Sequence, residues 1–319
     1  MSNNSQSCDQ HNLNESSLIV IVGPTGVGKT ELCIQIAQAL GCSIISCDSR
    51  QMYREMKIGT ATPTDEELPQ ATHHFIASRS IYDDYNAGQY ELDAIPLIEE
   101  ELRRNGCAIL TGGSMLYVDA ICKGIDDIPA IPKEVRDEVQ EFYRTHEIEE
   151  VRQWLKLLDP DHYFNSDLKN TKRILHAIEI CLTAGKPYST LRTNTVKPRS
   201  FNFVKIGLER PREELYDRIN RRTEMMMAEG LEEEARQLYP LRHLNALDTV
   251  GYKELFGFFD GHYPQEEAVR LIQRNTRHYA KKQLTWFKHD TDTVWFHPDN
   301  KEEIIKHIRK EVDNNKISK

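Results

Sequence analysis

The chain has 319 residues, 39% of them hydrophobic and 29% charged, with 50 acidic against 41 basic side chains and a formal net charge of −9. This apolar content supports one large core or two smaller ones and excludes global disorder. The longest apolar run, around Leu18–Val22, is far short of the roughly 18 residues that cross a bilayer, so no membrane span is expected. Seven cysteines, an odd number with no C-x-x-C, argue against a disulfide framework or a zinc site and for a reducing, cytoplasmic location. Cys33 and Cys107 sit in apolar contexts and read as small core residues.

Met1–Ser16 is polar, lacks a basic start and an apolar stretch, and reads as a loose tail rather than a signal peptide. Ser17–Val22 is rich in β-branched residues and bounded by Gly23-Pro24, which predicts a buried strand. Helical spacing over Glu31–Leu40 ends at Gly41, and Ser43–Cys47 reads as a second strand running into Asp48. Tyr90–Arg104 looks helical, with Pro96 warning of a break or kink, and Cys107–Thr111 is a third strand cut by Gly112-Gly113. From Cys122 to Ser200 the pattern holds helices (Lys133–Arg144, Glu147–Leu158, Asn170–Thr183) but no convincing strand. Strand character resumes at Phe203–Leu208, followed by a helix from Pro211 to Gly230, a long helix over Pro264–Lys288 and a last strand at Thr293–Phe296. The expected fold is α/β, a P-loop NTPase-like parallel sheet core (17–121 and 201–312) carrying a helical insertion (122–200).

Gly23-Pro-Thr-Gly-Val-Gly-Lys29-Thr30 fits G-x-x-x-x-G-K-[ST] between a strand and a helix. In such a loop backbone N–H groups surround phosphate oxygens, the lysine reaches terminal phosphates, and the hydroxyl ligates Mg²⁺. The motif says polyphosphate and no more. Asp48 ends a strand that leads into Ser49-Arg50-Gln51, where parallel sheets place ligands. It reads as a Mg²⁺ or water ligand, as a general base, or as a helix N-cap.

Charge is unevenly distributed. Residues 60–101 carry ten acidic and one basic side chain; Lys169–Ser200 carries seven basic and one acidic, and Val269–His289 six basic and none acidic. Arg270, Arg274, Arg277, Lys281 and Lys288 recur at helical spacing as one positive stripe, which points to phosphate contacts with a nucleic acid. Lys169, Lys172 and Arg173, with Arg192, Lys197 and Arg199 beyond, form a second basic segment. Arg218 and Arg222, four apart, share a helix face that Arg221 does not. His73-His74 lacks a patterned third metal ligand, and Met225-Met-Met227 reads as core filling with contact to an apolar tail as the lesser reading.

Gly23–Thr30, Asp48-Ser-Arg-Gln-Met-Tyr53, Ile58–Pro63, His73-His74, Gly112–Tyr117, Arg173–Glu179, Val250-Gly-Tyr252 and Arg277–Trp286 come in one order and spacing. In that combination, over roughly Leu18–Trp295, the chain resembles the tRNA dimethylallyltransferases. The resemblance implies transfer of a dimethylallyl group from its diphosphate to N6 of the adenosine at tRNA position 37, just 3′ of the anticodon. It makes Asp48 the general base, with Thr25 and Arg222 beside the pyrophosphate and the reacting centre. Gly23, Pro24, Thr25, Gly26, Val27, Gly28, Lys29 and Thr30 hold the diphosphate, and Thr30 helps hold Mg²⁺ as cofactor. Asp48, Ser49, Arg50, Gln51, Ser114, Lys172, Arg173, Arg277 and Lys281 face the tRNA anticodon arm, which the insertion helps grip. His176 replaces a usually basic residue, Ser114 stands where threonine is common, and Lys253 where arginine is frequent. A monomer is expected, with tRNA and dimethylallyl diphosphate as partners and no membrane.

Two enzymes and one binding module compete with this reading. A small-molecule P-loop kinase would turn over ATP and carry a lid of arginines. An adenylate isopentenyltransferase would need neither the insertion nor the basic helix, and a non-catalytic RNA-binding module would need no phosphate loop beside Asp48.

Overall fold

The structure, a computed structural model, describes residues 11–193 and 195–317. Two compact units emerge: one runs up to Cys122 and resumes at Arg199, and the other is Lys123–Pro198.

In the first unit the strands are β1 (Ser17–Val22), β2 (Ile44–Ser46), β3 (His73–His74), β4 (Cys107–Gly112), β5 (Asn202–Leu208) and β6 (Val294–Phe296). They form a six-stranded sheet in the order β3-β2-β4-β1-β5-β6, with every pairing parallel. Helices α1 (Lys29–Leu40), α2 (Ala87–Asn105) and α3 (Met115–Cys122) follow β1, β3 and β4. The second unit holds α4 (Lys133–Thr145), α5 (Ile148–Leu158), α6 (Pro160–Asn165), α7 (Thr171–Ala184) and α8 (Tyr188–Leu191). After β5 come α9 (Arg212–Ala228), α10 (Leu231–Leu238), α11 (Tyr252–Phe259) and α12 (Gln265–Phe287), and α13 (Lys301–Ile317) follows β6.

The alternation of β1 explains the layering. Leu18, Val20 and Val22 face one cluster with Tyr90, Ala94, Ile98 and Leu102 of α2. Ile19 and Ile21 face the other, with Leu32, Ile36 and Ala37 of α1 and Ile304, Ile308 and Val312 of α13. Each such fully buried aliphatic side chain contributes about 1.5–3 kcal/mol relative to leaving it in water. A strand buried on both faces reads as a continuous apolar run, as β1 does. The second unit has its own core, in which Val139, Val151, Leu155, Ile174 and Ile178 meet.

Several expectations change. Of the expected tail, residues 1–10 with Cys8 lie outside the described residues. Residues 11–16 are fixed: the Asn12 side chain accepts from Asn14 N–H to cap a short 3-10 turn, and His11 N–H donates to Arg103 O at 2.8 Å. Pro96 neither ends nor interrupts α2, because it lies on the solvent face beside exposed Leu92, whose freed carbonyl water can satisfy. α13 carries the fold to Ile317, five residues past the expected boundary at 312. Strand β3 escaped notice because two adjacent histidines carry no apolar alternation; its pairing with Ile44 and Ile45 makes it a strand. Cys33, Cys42, Cys47, Cys107, Cys122 and Cys181 are free thiols, with Cys33 and Cys107 in the core as expected. Among the described residues no helix is long and apolar enough to cross a membrane.

Candidate active site

The loop after β1 turns through Gly26 at φ 82° and Gly28 at φ 106°, left-handed values that favour glycine. A Cβ on Gly26 would also lie 2.9 Å from Ile219 Cγ1. Gly28 caps α1, whose first amides have no intrahelical partner and point with the helix dipole toward the cleft. Lys29 folds back so that its Nζ donates to Gly23 O at 2.9 Å and to Pro24 O at 3.0 Å. Burial pulls its ammonium down to about 8, opposed by the charge of Asp48 and reinforced by that of Arg222.

The loop is clamped by arginines. Arg210 Nε donates to Val27 O at 2.9 Å and Arg218 Nε to Gly26 O at 3.0 Å, while Arg222 Nη2 donates to Thr25 Oγ1 at 2.7 Å. With those carbonyls satisfied by the arginines, amides of the loop can turn toward the cleft. Two are already engaged elsewhere: Thr25 N–H donates to Gln283 Oε1, and Val27 N–H to Pro24 O. Burial lowers the Arg222 guanidinium from its usual range and Asp48 raises it again. Arg221 pairs with Asp217 at 2.6 Å and also borders the cleft beside Arg218 and Arg222, so the helix faces are less separate than the spacing implied.

Asp48 follows β2 and is half-buried. Its Oδ1 accepts the N–H groups of Arg50 at 2.9 Å and Gln51 at 3.3 Å, so the capping role is real, although it caps a turn and no helix follows. Next to it, Ser49 N–H donates to Ser114 Oγ at 2.8 Å, and Ser114 Oγ donates to Ser49 Oγ at 3.0 Å. The serine hydroxyl at 114 thus ties the β2 and β4 loops together. Gln51 directs its amide N–H groups to Thr60 O and Ala61 O at 3.2 and 2.8 Å, holding Ala61 at φ 50°. Tyr279 Oη donates to Gly113 O at 3.3 Å; burial, and then the nearby Asp48, push its phenol up to about 12.

These groups border one cleft of about 830 Å³, walled by Thr25, Gly26, Gly28, Lys29, Thr30, Asp48, Gln51, Arg218, Arg222, Tyr279 and Gln283. Ile58, Ala61, Ile76, Ala77, Met225 and Met226 give it an apolar wall. Met226 is buried in the core and Met225 is exposed into the cleft, so the methionine run divides between the two readings. The donors fit Mg²⁺: the Thr30 hydroxyl and the Asp48 carboxylate are hard oxygen groups, suited to an ion that also takes phosphate oxygens and water.

The basic stripe on α12 is shorter than its spacing suggested. Arg270 is paired with Glu267 at 2.6 Å and Lys288 with Glu209 at 2.6 Å. Glu267 precedes the stripe by one turn and Glu209 is remote in sequence. Arg277 is half-buried, its Nη1 donating to Asn220 Oδ1 at 2.6 Å, whereas Arg274 and Lys281 are exposed. In the second unit Lys172, Arg173 and His176 share the exposed face of α7, opposite buried Ile174, Leu175 and Ile178. Arg199 does not belong with them. It is half-buried in the first unit, pairing with Glu91 at 2.7 Å and donating to Ile121 O and Ala120 O. Lys197 pairs with Asp127 at 3.1 Å.

Residues that local sequence could not mark also build the site. Gln283, 1% exposed, joins two loops of the cleft; Arg210 and Arg218 hold the phosphate loop. Glu234 accepts from Ile58 N–H and Gly59 N–H at 2.9 Å each and from Tyr252 Oη at 2.7 Å, which explains part of the Val250-Gly-Tyr252 motif. His74 lies 3.8 Å from Glu101, and His73 Nδ1 contacts Ala71 O; among the described residues neither histidine belongs to a cluster of three possible metal ligands.

The sequence model of the family "IPP transferase" matches residues 51–290, a span that begins just after Asp48. A tRNA dimethylallyltransferase 1 of Phocaeicola vulgatus is 53% identical over 292 residues, covering 92% of this chain and 97% of that protein. That of Bacteroides fragilis is 50% identical over 296 residues, covering 93% and 98%. A tRNA isopentenylpyrophosphate transferase from Bacillus halodurans, of known structure, superposes with a TM-score of 0.70 at 34% identity, covering 94% of this chain and 98% of its own. A eukaryotic dimethylallyltransferase acting on tRNA shares the fold, with a TM-score of 0.76 at 23% identity over 95% of this chain and 80% of its own. With its sequence matched over most of its length, the chain belongs to the IPP transferase family.

Proposed function

We propose that the protein is a tRNA dimethylallyltransferase, acting as a single chain to move the dimethylallyl group from dimethylallyl diphosphate to N6 of the adenosine at position 37. What carries this reading is the meeting of a phosphate cradle and a strand-end carboxylate in one cleft that also has an apolar wall.

The diphosphate lies against Lys29, the amides that open α1 and the Arg218 and Arg222 side of α9. Thr30 would help hold a Mg²⁺ ion, which would supply charge neutralisation when bound. Met225, Met226 and Ile58 receive the five-carbon tail. An exocyclic amine is a weak nucleophile because its lone pair is delocalised into the ring. Asp48 takes the N6 proton as the N–C bond forms and the C–O bond to the diphosphate breaks. Charge then grows on the departing pyrophosphate, and the preorganised Lys29, Arg222 and Thr25 group meets it without reorganising. The adenosine must leave its stack to reach the cleft. Lys281, Arg277 and Arg274 on α12, and Lys172 and Arg173 on α7, bind anticodon-arm phosphates.

The test supplies labelled dimethylallyl diphosphate with an anticodon stem-loop, with AMP, and with no acceptor, and in parallel supplies γ-labelled ATP. Label on N6 of the stem-loop adenosine, with pyrophosphate released, is the expected result. Label on AMP alone would establish the free-nucleotide enzyme, and tRNA-independent ATP turnover without prenyl transfer a kinase.

A further inference from the structure

Gln283 of α12 is a buried polar side chain with both halves of its amide in use. Its Oε1 accepts Thr25 N–H at 2.8 Å and its Nε2 donates to Gly113 O at 2.8 Å. It therefore ties the loop after β1 to the loop after β4. Residue 113 has no room for a side chain here: a Cβ would lie 2.3 Å from Gln283 Nε2 and 4.0 Å from Asp48 Oδ2. The neighbouring Ser114 holds Ser49, next to Asp48, and Thr25 Oγ1 is held by Arg222. One amide thus stands between the group that meets pyrophosphate and the loop that carries the base. At 1% exposure neither polar end has water as an alternative partner.

We propose that Gln283 is a positioning residue for prenyl transfer: it holds Thr25 and the phosphate loop in register with Asp48 through the β4 loop. This rests on the reading of the cleft as the transfer site. Its contacts are to backbone, so it acts through Thr25 and Gly113 and not on substrate.

Two variants separate geometry from packing. Gln283→Met keeps volume and removes both hydrogen bonds. Small displacements of catalytic groups cost rate steeply, so its kcat should fall about 10–100-fold while tRNA affinity stays within about twofold. Gln283→Glu introduces a carboxyl that, when protonated, reproduces both the acceptor and the donor of the amide; when ionised it opposes the Gly113 carbonyl. The ratio of its kcat to that of wild type should therefore rise as pH is lowered from 9 to 6, whereas the Gln283→Met ratio should stay flat. Calorimetry with inorganic pyrophosphate, which needs no turnover, should show weaker binding to Gln283→Met and the same recovery at low pH for Gln283→Glu. Wild-type kcat and pyrophosphate affinity in Gln283→Met would overturn the proposal. So would a Gln283→Glu profile parallel to wild type in both measurements. An inactive wild type would remove the transfer reading alone, and pyrophosphate binding would still decide whether Gln283 sets the loop.

Discussion

Lys29 makes donor binding sensitive to pH in a calculable way. Burial brings its ammonium down to about 8, while a diphosphate beside it would favour the charged form and raise that value. Binding therefore takes up a proton in the interval above pH 8, and by linkage affinity falls as pH rises through it. With the free value at about 8 and the bound value raised, the protonated fraction of the free protein drops about tenfold between pH 7 and pH 9, equivalent to about 1.4 kcal/mol of binding free energy. The second ionisation of a phosphate group is centred near pH 6, below this window. Isothermal titration of a non-transferable diphosphate analogue at pH 7, 8 and 9 reads the effect directly. Lys29→Met should bind weakly at all three and show no slope. Wild-type affinity that is constant over this range, or a Lys29→Met slope equal to that of wild type, would refute the reasoning.

Arg277→Ala and Lys281→Ala should each weaken tRNA binding and lower its salt dependence by up to about one unit of slope, read by filter binding across a salt series. Arg270→Ala should lower it less, because Glu267 already pairs with that arginine. Thr30→Ala should raise the Mg²⁺ concentration needed for half-maximal transfer, since the loop hydroxyl no longer contributes to the ion. Gly59→Ala places a Cβ 2.5 Å from Tyr252 Oη, so thermal denaturation should show a loss of about 1–3 kcal/mol from overpacking.

The parts of the site that depend on neighbours in sequence were legible beforehand. The phosphate loop announces itself because its glycines, lysine and threonine must be adjacent for one turn to surround a phosphate, and Asp48 because it ends an apolar run. The apolar run of β1 placed the phosphate loop, and the Pro211 and Gly230 boundaries of α9 and the long helical stretch of α12 placed the elements that carry Arg222 and Arg277. What escaped is tertiary. Gln283 meets Thr25 across 258 positions and Gly113 across 170, and neither contact leaves a local pattern. Charge spacing overstated the α12 stripe for the same reason, since Glu209 neutralises Lys288 from a distant segment. Arg199 shows a related error: a basic residue in a basic stretch is the ion-pair partner of buried Glu91. Pro96 shows that a helix breaker is tolerated where solvent replaces the lost hydrogen bond.

The central claim is that Asp48 removes the N6 proton while the phosphate loop holds the leaving group. Asp48→Asn tests it cleanly, because the amide oxygen can still accept the Arg50 and Gln51 N–H groups and keep the turn. Single-turnover transfer to an anticodon stem-loop, with both substrates saturating, should slow by about 10²–10⁴-fold while the dissociation constants for stem-loop and diphosphate analogue stay near wild type. A single-turnover rate in Asp48→Asn close to that of wild type would contradict the account.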